Sequence, residues 1–451
     1  MLRPYIIPLS MTTSFPSSMT TSYARRLGLF SGTMAVVGGI IGGGIFRTPA
    51  TVAERLGTPG LVLLAWVIGG VVALIGAFCF GELGQRRPRA GGGYVYLRET
   101  FGPLPAFLYG WTLVLVIATG AIAAVAVTFA DYTLALTGLP HRLSVPLAVA
   151  AIVLLSGVNY MGVRPAAITQ NVFTLLKLVA LALLIGAGLL LAAPSPPSHL
   201  AAPSPPPHLA ALGPALVPIL FTYGGWQQTN FIAEEIVEPE TNLPGALVFG
   251  VVIVVTVYLL TNLAYLRVLG IDGLGASTAP AADTMRIVLG PIGGKLIAAG
   301  IAISTFGFLN LVILVTPRVL QAMAADGVFF RRLALLHPTY QTPTAAIVAL
   351  AACAVALTLS GTFGQLVDYV TFGDWIFFGS TVACLYVYRT RDPGPSSGFR
   401  VPGYPVTPAL FILAAAYVVF SAITSNPKNA AIGAGLIALG IPAYLYWRGR
   451  H

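Results

Sequence analysis

Charge is what this chain has least of. Only 8% of its 451 residues are Asp, Glu, Lys or Arg, against about 25% in an ordinary soluble domain, so water cannot be the solvent for most of its surface. Acids are scarcer than bases, 14 against 24. Cysteine is nearly absent: Cys79, Cys353 and Cys384 each sit inside an apolar run with no paired spacing, which argues against a disulfide framework or a metal site. No catalytic triad, phosphate loop or metal-ligand spacing is present, and no strand precedes the lone Gly-Gly-Gly at 42–44, so it is no nucleotide fingerprint. Neither an enzyme nor a resident cofactor is indicated.

What the chain has instead is apolar length. Hydrophobic residues make up 57% and the mean hydropathy is +0.86. A helix needs about 20 mostly apolar residues to cross a bilayer, and such stretches recur from Leu27 to the C-terminus. The 50 glycines and 34 prolines fit this reading, because both are commoner in membrane helices than in soluble ones. The predicted class is an all-α membrane protein with spans at 27–55, 60–83, 103–136, 144–162, 167–192, 213–236, 245–269, 284–325, 343–361, 366–388, 404–424 and 429–447. The eighth is long enough to fold back partly as loop helix.

The net charge of +10 is read as topology and not as affinity for nucleic acid. With the N-terminus inside, sixteen of the 24 Lys and Arg fall in inner segments, seven in outer ones, and Lys177 stands alone within a span. That bias places both termini in the cytoplasm, in a multi-pass protein of the cell's inner (cytoplasmic) membrane. Residues 1–26 show no signal-peptide pattern and are expected to form a floppy cytoplasmic tail, with Met11 and Met19 as alternative starts. Between the fifth and sixth spans, AAPSPPSHL is followed by AAPSPPPHL over residues 192–209. Such Pro density cannot continue a helix, so 193–212 is expected to be an extended outer loop, with His199 and His208 solvated and not metal-bound.

Two spans are interrupted. Residues 38–46, with Ile40, Ile41, Gly42, Gly43, Gly44 and Ile45 at their centre, are too rich in glycine for a continuous helix, at roughly 1 kcal/mol per glycine relative to alanine. Phe221, Thr222, Tyr223, Gly224, Gly225 and Trp226 interrupt the sixth span. Broken helices at corresponding places in two halves point to a transporter site. Irregular backbone persists at membrane depth only where it lines a cavity or is buried in protein. Freed NH groups attract an anion and freed carbonyls a cation, and the main chain of an amino acid carries both charges. Glycine matters because no Cβ keeps the guest from the backbone.

At these residues the chain closely resembles the amino acid, polyamine and organocation transporter superfamily, and within it the bacterial relatives of L-type amino acid transporters. The words that carry the likeness are VVGGIIGGGIF at 36–46, GELGQRRPRAGGGYVYLRETFGPLPAFLYGW at 81–111, LLKLVAL at 175–181 and FTYGGWQQTNFIAEEIVEPETNLPGAL at 221–247. The resemblance implies a LeuT-type fold: one five-span unit at 27–192, its inverted copy at 213–388, and two further helices at 389–451. It implies that the amides of Gly42, Gly43 and Gly44 hold a substrate carboxylate, with Ile40 and Ile41 at the carbonyl end of the break and Ile45 closing the motif. Many relatives carry Ser or Thr where Gly43 stands, so here only the backbone contact carries over. Phe221, Thr222 and Tyr223 match the residues whose carbonyls face the substrate amine, and Phe221 matches an aromatic lid. Gly224 and Gly225 leave room for a side chain, which suggests neutral and even bulky amino acids.

Lys177 needs a partner, because an ammonium at bilayer depth costs at least about 2.5 kcal/mol. By resemblance it takes the place of a sodium ion, with the Gly42 carbonyl and the hydroxyls of Ser304 or Thr305 as counter-groups, and transport is expected to be sodium-independent. Glu235, in the acidic run after the sixth span, is expected either on a solvated cytoplasmic face or bridged to an inner-loop arginine as part of a gate. Glu82, Asp131 and Asp374 lie near predicted span ends and receive no substrate role. The expected activity is secondary transport of amino acids by exchange or proton coupling. Its rival is a carrier of cationic amino acids or polyamines, which would need an acidic side chain facing the pocket; none lies within 40–46 or 221–226. A channel or non-transporting receptor would need a polar filter or a sensor domain, and neither is evident. Nothing in the sequence requires a partner subunit.

Overall fold

The computed structural model describes residues 22–192, 211–361, 363–392 and 398–449, with the side chains of 363–372 left aside. The Pro-rich repeat with His199 and His208 lies outside the described residues. All regular structure among them is helical. The first broken span comprises α1 (Leu29–Ile40), a 3-10 turn (Gly44–Phe46) and α2 (Thr48–Leu56). It is followed by α3 (Pro59–Arg86), the short α4 (Gly93–Phe101), α5 (Pro103–Thr112) and α6 (Thr119–Thr137), then α7 (Ser144–Tyr160) and α8 (Val163–Gly186). The second half begins with α9 (Leu212–Thr222) and a 3-10 segment (Trp226–Glu235), then α10 (Pro239–Ala276), α11 (Pro280–Ala325), α12 (Thr344–Ser360) and α13 (Phe363–Arg391). Finally come α14 (Val406–Ser425), α15 (Pro427–Ala438) and α16 (Gly440–Arg448).

Eight continuous helical stretches are long and apolar enough to cross a membrane. With α12, α13 and the two broken helices they make up the twelve expected spans. The long eighth span is divided at Gly290, whose φ of 65° precedes Pro291 and ends a short first piece of α11. Between α5 and α6 the chain forms a π-helical turn, Leu113–Ala118, in place of regular winding. Such turns cluster at functional sites, and this one packs against α13.

A ladder of buried amides joins α7, α11 and α8, and a threonine of α8 ties it to α1. Asn159 donates to Asn310 Oδ1 at 3.1 Å, Asn310 to Gln170 Oε1 at 3.0 Å, and Thr174 to the Met34 carbonyl at 3.2 Å. In hydrocarbon these groups have no water to fall back on, so their pairing fixes the packing of the helices.

The expected floppy tail is corrected at its last residues. Tyr23 and Leu27 are buried. The amides of Arg26 and Leu27 donate to the Glu235 carbonyl at 2.8 and 2.9 Å, and Val237 N donates back to Leu27 O. Tyr23 N donates to Glu234 Oε1. Residues 22–27 therefore form a strap laid across the end of the second broken helix. Glu82 lies near the end of α3, as expected, and is not solvated there. Glu82 is fully buried, paired with Arg86 and Arg389, and accepts from Val401 N, so it ties α3 to α13 and to the entry of α14.

Candidate functional site

α1 stops at Ile40 because Ile41, with ψ of 87°, leaves helical geometry. The chain then makes a tight turn, Gly42 N donating to Ile40 O at 2.9 Å, and the amides of Gly43 and Gly44 find no backbone acceptor. A Cβ on Gly44 would come within 2.8 Å of Thr222, whereas nothing lies within 4 Å of one on Gly43. Gly43 is thus the open position of the motif.

α9 stops at Thr222. Gly224 N donates to Phe221 O at 3.0 Å, and Gly225 takes φ of 111°, a conformation that L side chains rarely adopt. A Cβ on Gly225 would also collide with the Gly39 carbonyl, and one on Gly39 would stand 2.8 Å from Gly225 O. The two interruptions touch backbone to backbone, which only glycine at both positions allows.

Both breaks face one cavity of about 330 Å³, lined at one end by Gly42, Gly43, Gly44, Phe221 and Thr222 and along its wall by Ile117, Ala121 and Phe308. Phe221 is 50% exposed although it lines this cavity, so the cavity is open over its ring. Away from the residues that line the cavity, an ion pair seals the far end of the second broken helix. Glu235 accepts from Arg318 at 2.8 Å, both are buried, and the guanidinium lies 5.7 Å from the Tyr23 ring. Arg318 belongs to α11 itself, so the arginine opposite Glu235 comes from a helix and not from an inner loop. Around the seal, Tyr94 donates to Asp326, which also pairs with Arg98.

Lys177 is buried, and its ammonium donates to the carbonyls of Ile41 at 2.8 Å and Gly38 at 3.2 Å. The expected Gly42 carbonyl is taken instead by Ser304, whose hydroxyl lies 3.2 Å from Ile41 O and 3.4 Å from Gly42 O. The Thr305 hydroxyl returns to its own helix, at Ile301 O and Ala302 O, so it does not reach the lysine. Sequence reasoning missed Tyr258, whose buried hydroxyl bridges Ile40 O at 3.0 Å and Thr222 O at 3.4 Å and so links the two breaks directly. A buried tyrosine in an apolar span needs a partner for its hydroxyl, a signal that was available. Asp374 was placed near a span end; the structure puts it on the cavity wall with Trp375 and Phe378.

A bundle of apolar helices with two touching, unwound segments that open onto one cavity defines a membrane transporter for small solutes. The comparison of sequences narrows the class. A profile of the amino acid permease family matches residues 27–446. The chain is 34% identical to the human (Homo sapiens) b(0,+)-type amino acid transporter 1 over 414 residues, 90% of this chain and 84% of that one. It is 32% identical to the large neutral amino acids transporter small subunit 2 of Mus musculus over 436 residues, 94% and 82% of the two chains. The human Asc-type amino acid transporter 1 matches at 31% over 446 residues, 96% and 85%. The chain belongs to the amino acid permease family and is a multi-pass amino acid transporter.

Proposed function

We propose that this permease carries neutral α-amino acids without sodium, by exchange or proton coupling, across the cytoplasmic membrane with both termini inside. The observation that supports it most is the meeting of two opposite backbone ends at one cavity: free amides at Gly43 and Gly44, and the end of α9 at Phe221 and Thr222. The first suits a carboxylate and the second an ammonium. The apolar wall suits a hydrophobic side chain, as the name of the large neutral amino acids relative suggests.

Lys177 is read as a built-in cation at the first break, which is the ground for sodium independence. Residues 27–192 and 213–388 are read as inverted copies of one unit, with α1, α3, α9 and α10 rocking against the rest so that one site opens to each side in turn. Glu235 and Arg318 are read as the bolt of the cytoplasmic gate and Phe221 as the lid on the other side. Purified protein in proteoliposomes loaded with leucine should take up labelled leucine, saturably and equally in sodium and potassium buffers. Uptake that demands sodium would remove the role given to Lys177, and a flux that never saturates would mean a channel.

A further inference from the structure

Among the residues lining the cavity, Asp374 is the one ionisable side chain, and no Lys, Arg or His faces it there. No hydrogen bond or ion pair holds it among the described residues. A carboxylate inside a bilayer-spanning bundle is costly and ordinarily pairs with something; no described residue supplies that partner here.

A second oxygen without a partner belongs to another residue of the same wall. Gln228 lines the cavity, and its Oε1 is buried without a hydrogen-bond partner. A bare buried acceptor costs stability that a donor recovers. The remaining wall, Ile117, Ala121, Val125 and Phe308, is apolar. One charged acceptor, one neutral acceptor and an apolar slot fit a side chain with a hydrocarbon stem and a cationic tip.

We propose that Asp374 and Gln228 form a subsite for a cationic side-chain end, so that the cavity takes basic α-amino acids as well as neutral ones. This rests on reading Gly43, Gly44, Phe221 and Thr222 as the site of the amino acid main chain. A neutral guest leaves Asp374 to the water of the cavity; lysine or arginine replaces that water with its own charge.

The test is competition in proteoliposomes loaded with leucine, measuring exchange of labelled leucine against external lysine and against norleucine, a neutral molecule of similar length. Wild-type protein should be inhibited by both and should take up labelled lysine. In Asp374→Asn the preference for lysine over norleucine should fall by at least about tenfold, as expected for one lost charge-assisted contact, and Asp374→Glu should restore part of it. Leucine exchange that lysine never inhibits overturns the subsite while the main-chain site stands. So does a lysine-to-norleucine ratio that Asp374→Asn leaves unchanged, including equal slowing of both, as a proton-carrying role would give. If folded wild-type protein exchanges no amino acid at all, the main-chain reading fails and the subsite with it.

Discussion

The two interrupted helices are built differently. At the first, the Lys177 amine from α8 is fixed against the carbonyls of Gly38 and Ile41, with Ser304 of α11 beside it. At the second no charge is spent: Gly225 N donates to Gln227 Oε1 at 2.9 Å, Tyr223 donates through its hydroxyl to Trp66 O, and the rest is close backbone contact with Gly39. The first break is therefore tethered by a lysine and a serine from α8 and α11, and the second by tyrosine hydroxyls that join it to α3 and α10 and by its twin. The contrast is one of chemistry: an amine holds the first break, and only neutral groups hold the second.

That contrast can be broken at four places. The largest effect is expected from Lys177→Ala, which strands buried carbonyls and a cavity. A buried carbonyl left without a donor costs about 1–3 kcal/mol, and the break that bounds the site loses both of the amine's bonds, so leucine exchange should fall by at least about tenfold in protein that still inserts; near-normal exchange would dissolve the asymmetry. Gly225→Ala comes next. Its positive φ alone costs about 1–3 kcal/mol for a residue with a Cβ, and the Gly39 carbonyl adds a collision, so thermal unfolding should shift down clearly, and an unshifted curve would show that the breaks do not touch. Gly43→Leu should melt as wild type does, since nothing surrounds that position, yet lose leucine affinity by roughly tenfold or more as the side chain fills the approach to the amides. Unchanged affinity would place the site elsewhere. The smallest effect is Phe221→Ala, where loss of one aromatic contact of about 0.5–1.5 kcal/mol should raise the half-saturating leucine concentration several-fold.

Both breaks were legible in the sequence because five glycines in seven residues, and a Tyr-Gly-Gly-Trp, contradict an apolar helix on local grounds. Lys177 was legible for a similar reason: a lone ammonium in an apolar run demands acceptors. Which carbonyls it meets was not, because the path from Gly38 to Gly42 turns on the ψ of Ile41, and a one-residue change in that turn hands the Gly42 carbonyl to Ser304. Asp374 was misjudged by depth. It is the twelfth residue of the 29 in α13 (374 counted from Phe363) and the ninth in the predicted span 366–388, so it is well inside both and was wrongly set near an end. Hydropathy marks where a span lies along the chain and says little of which face meets a cavity. The strap at 22–27 left no periodic signal at all, since its pairing is with a segment some 200 residues away.

That strap changes what opening the sealed end requires. A guanidinium and a carboxylate separate in one event, but a few backbone bonds laid in a row, each worth about 0.5–1.5 kcal/mol, can be peeled one after another from the loose side. Residues 22–27 thus lie like a zip over a clasp, and a pull on Tyr23 bears first on its bond to Glu234.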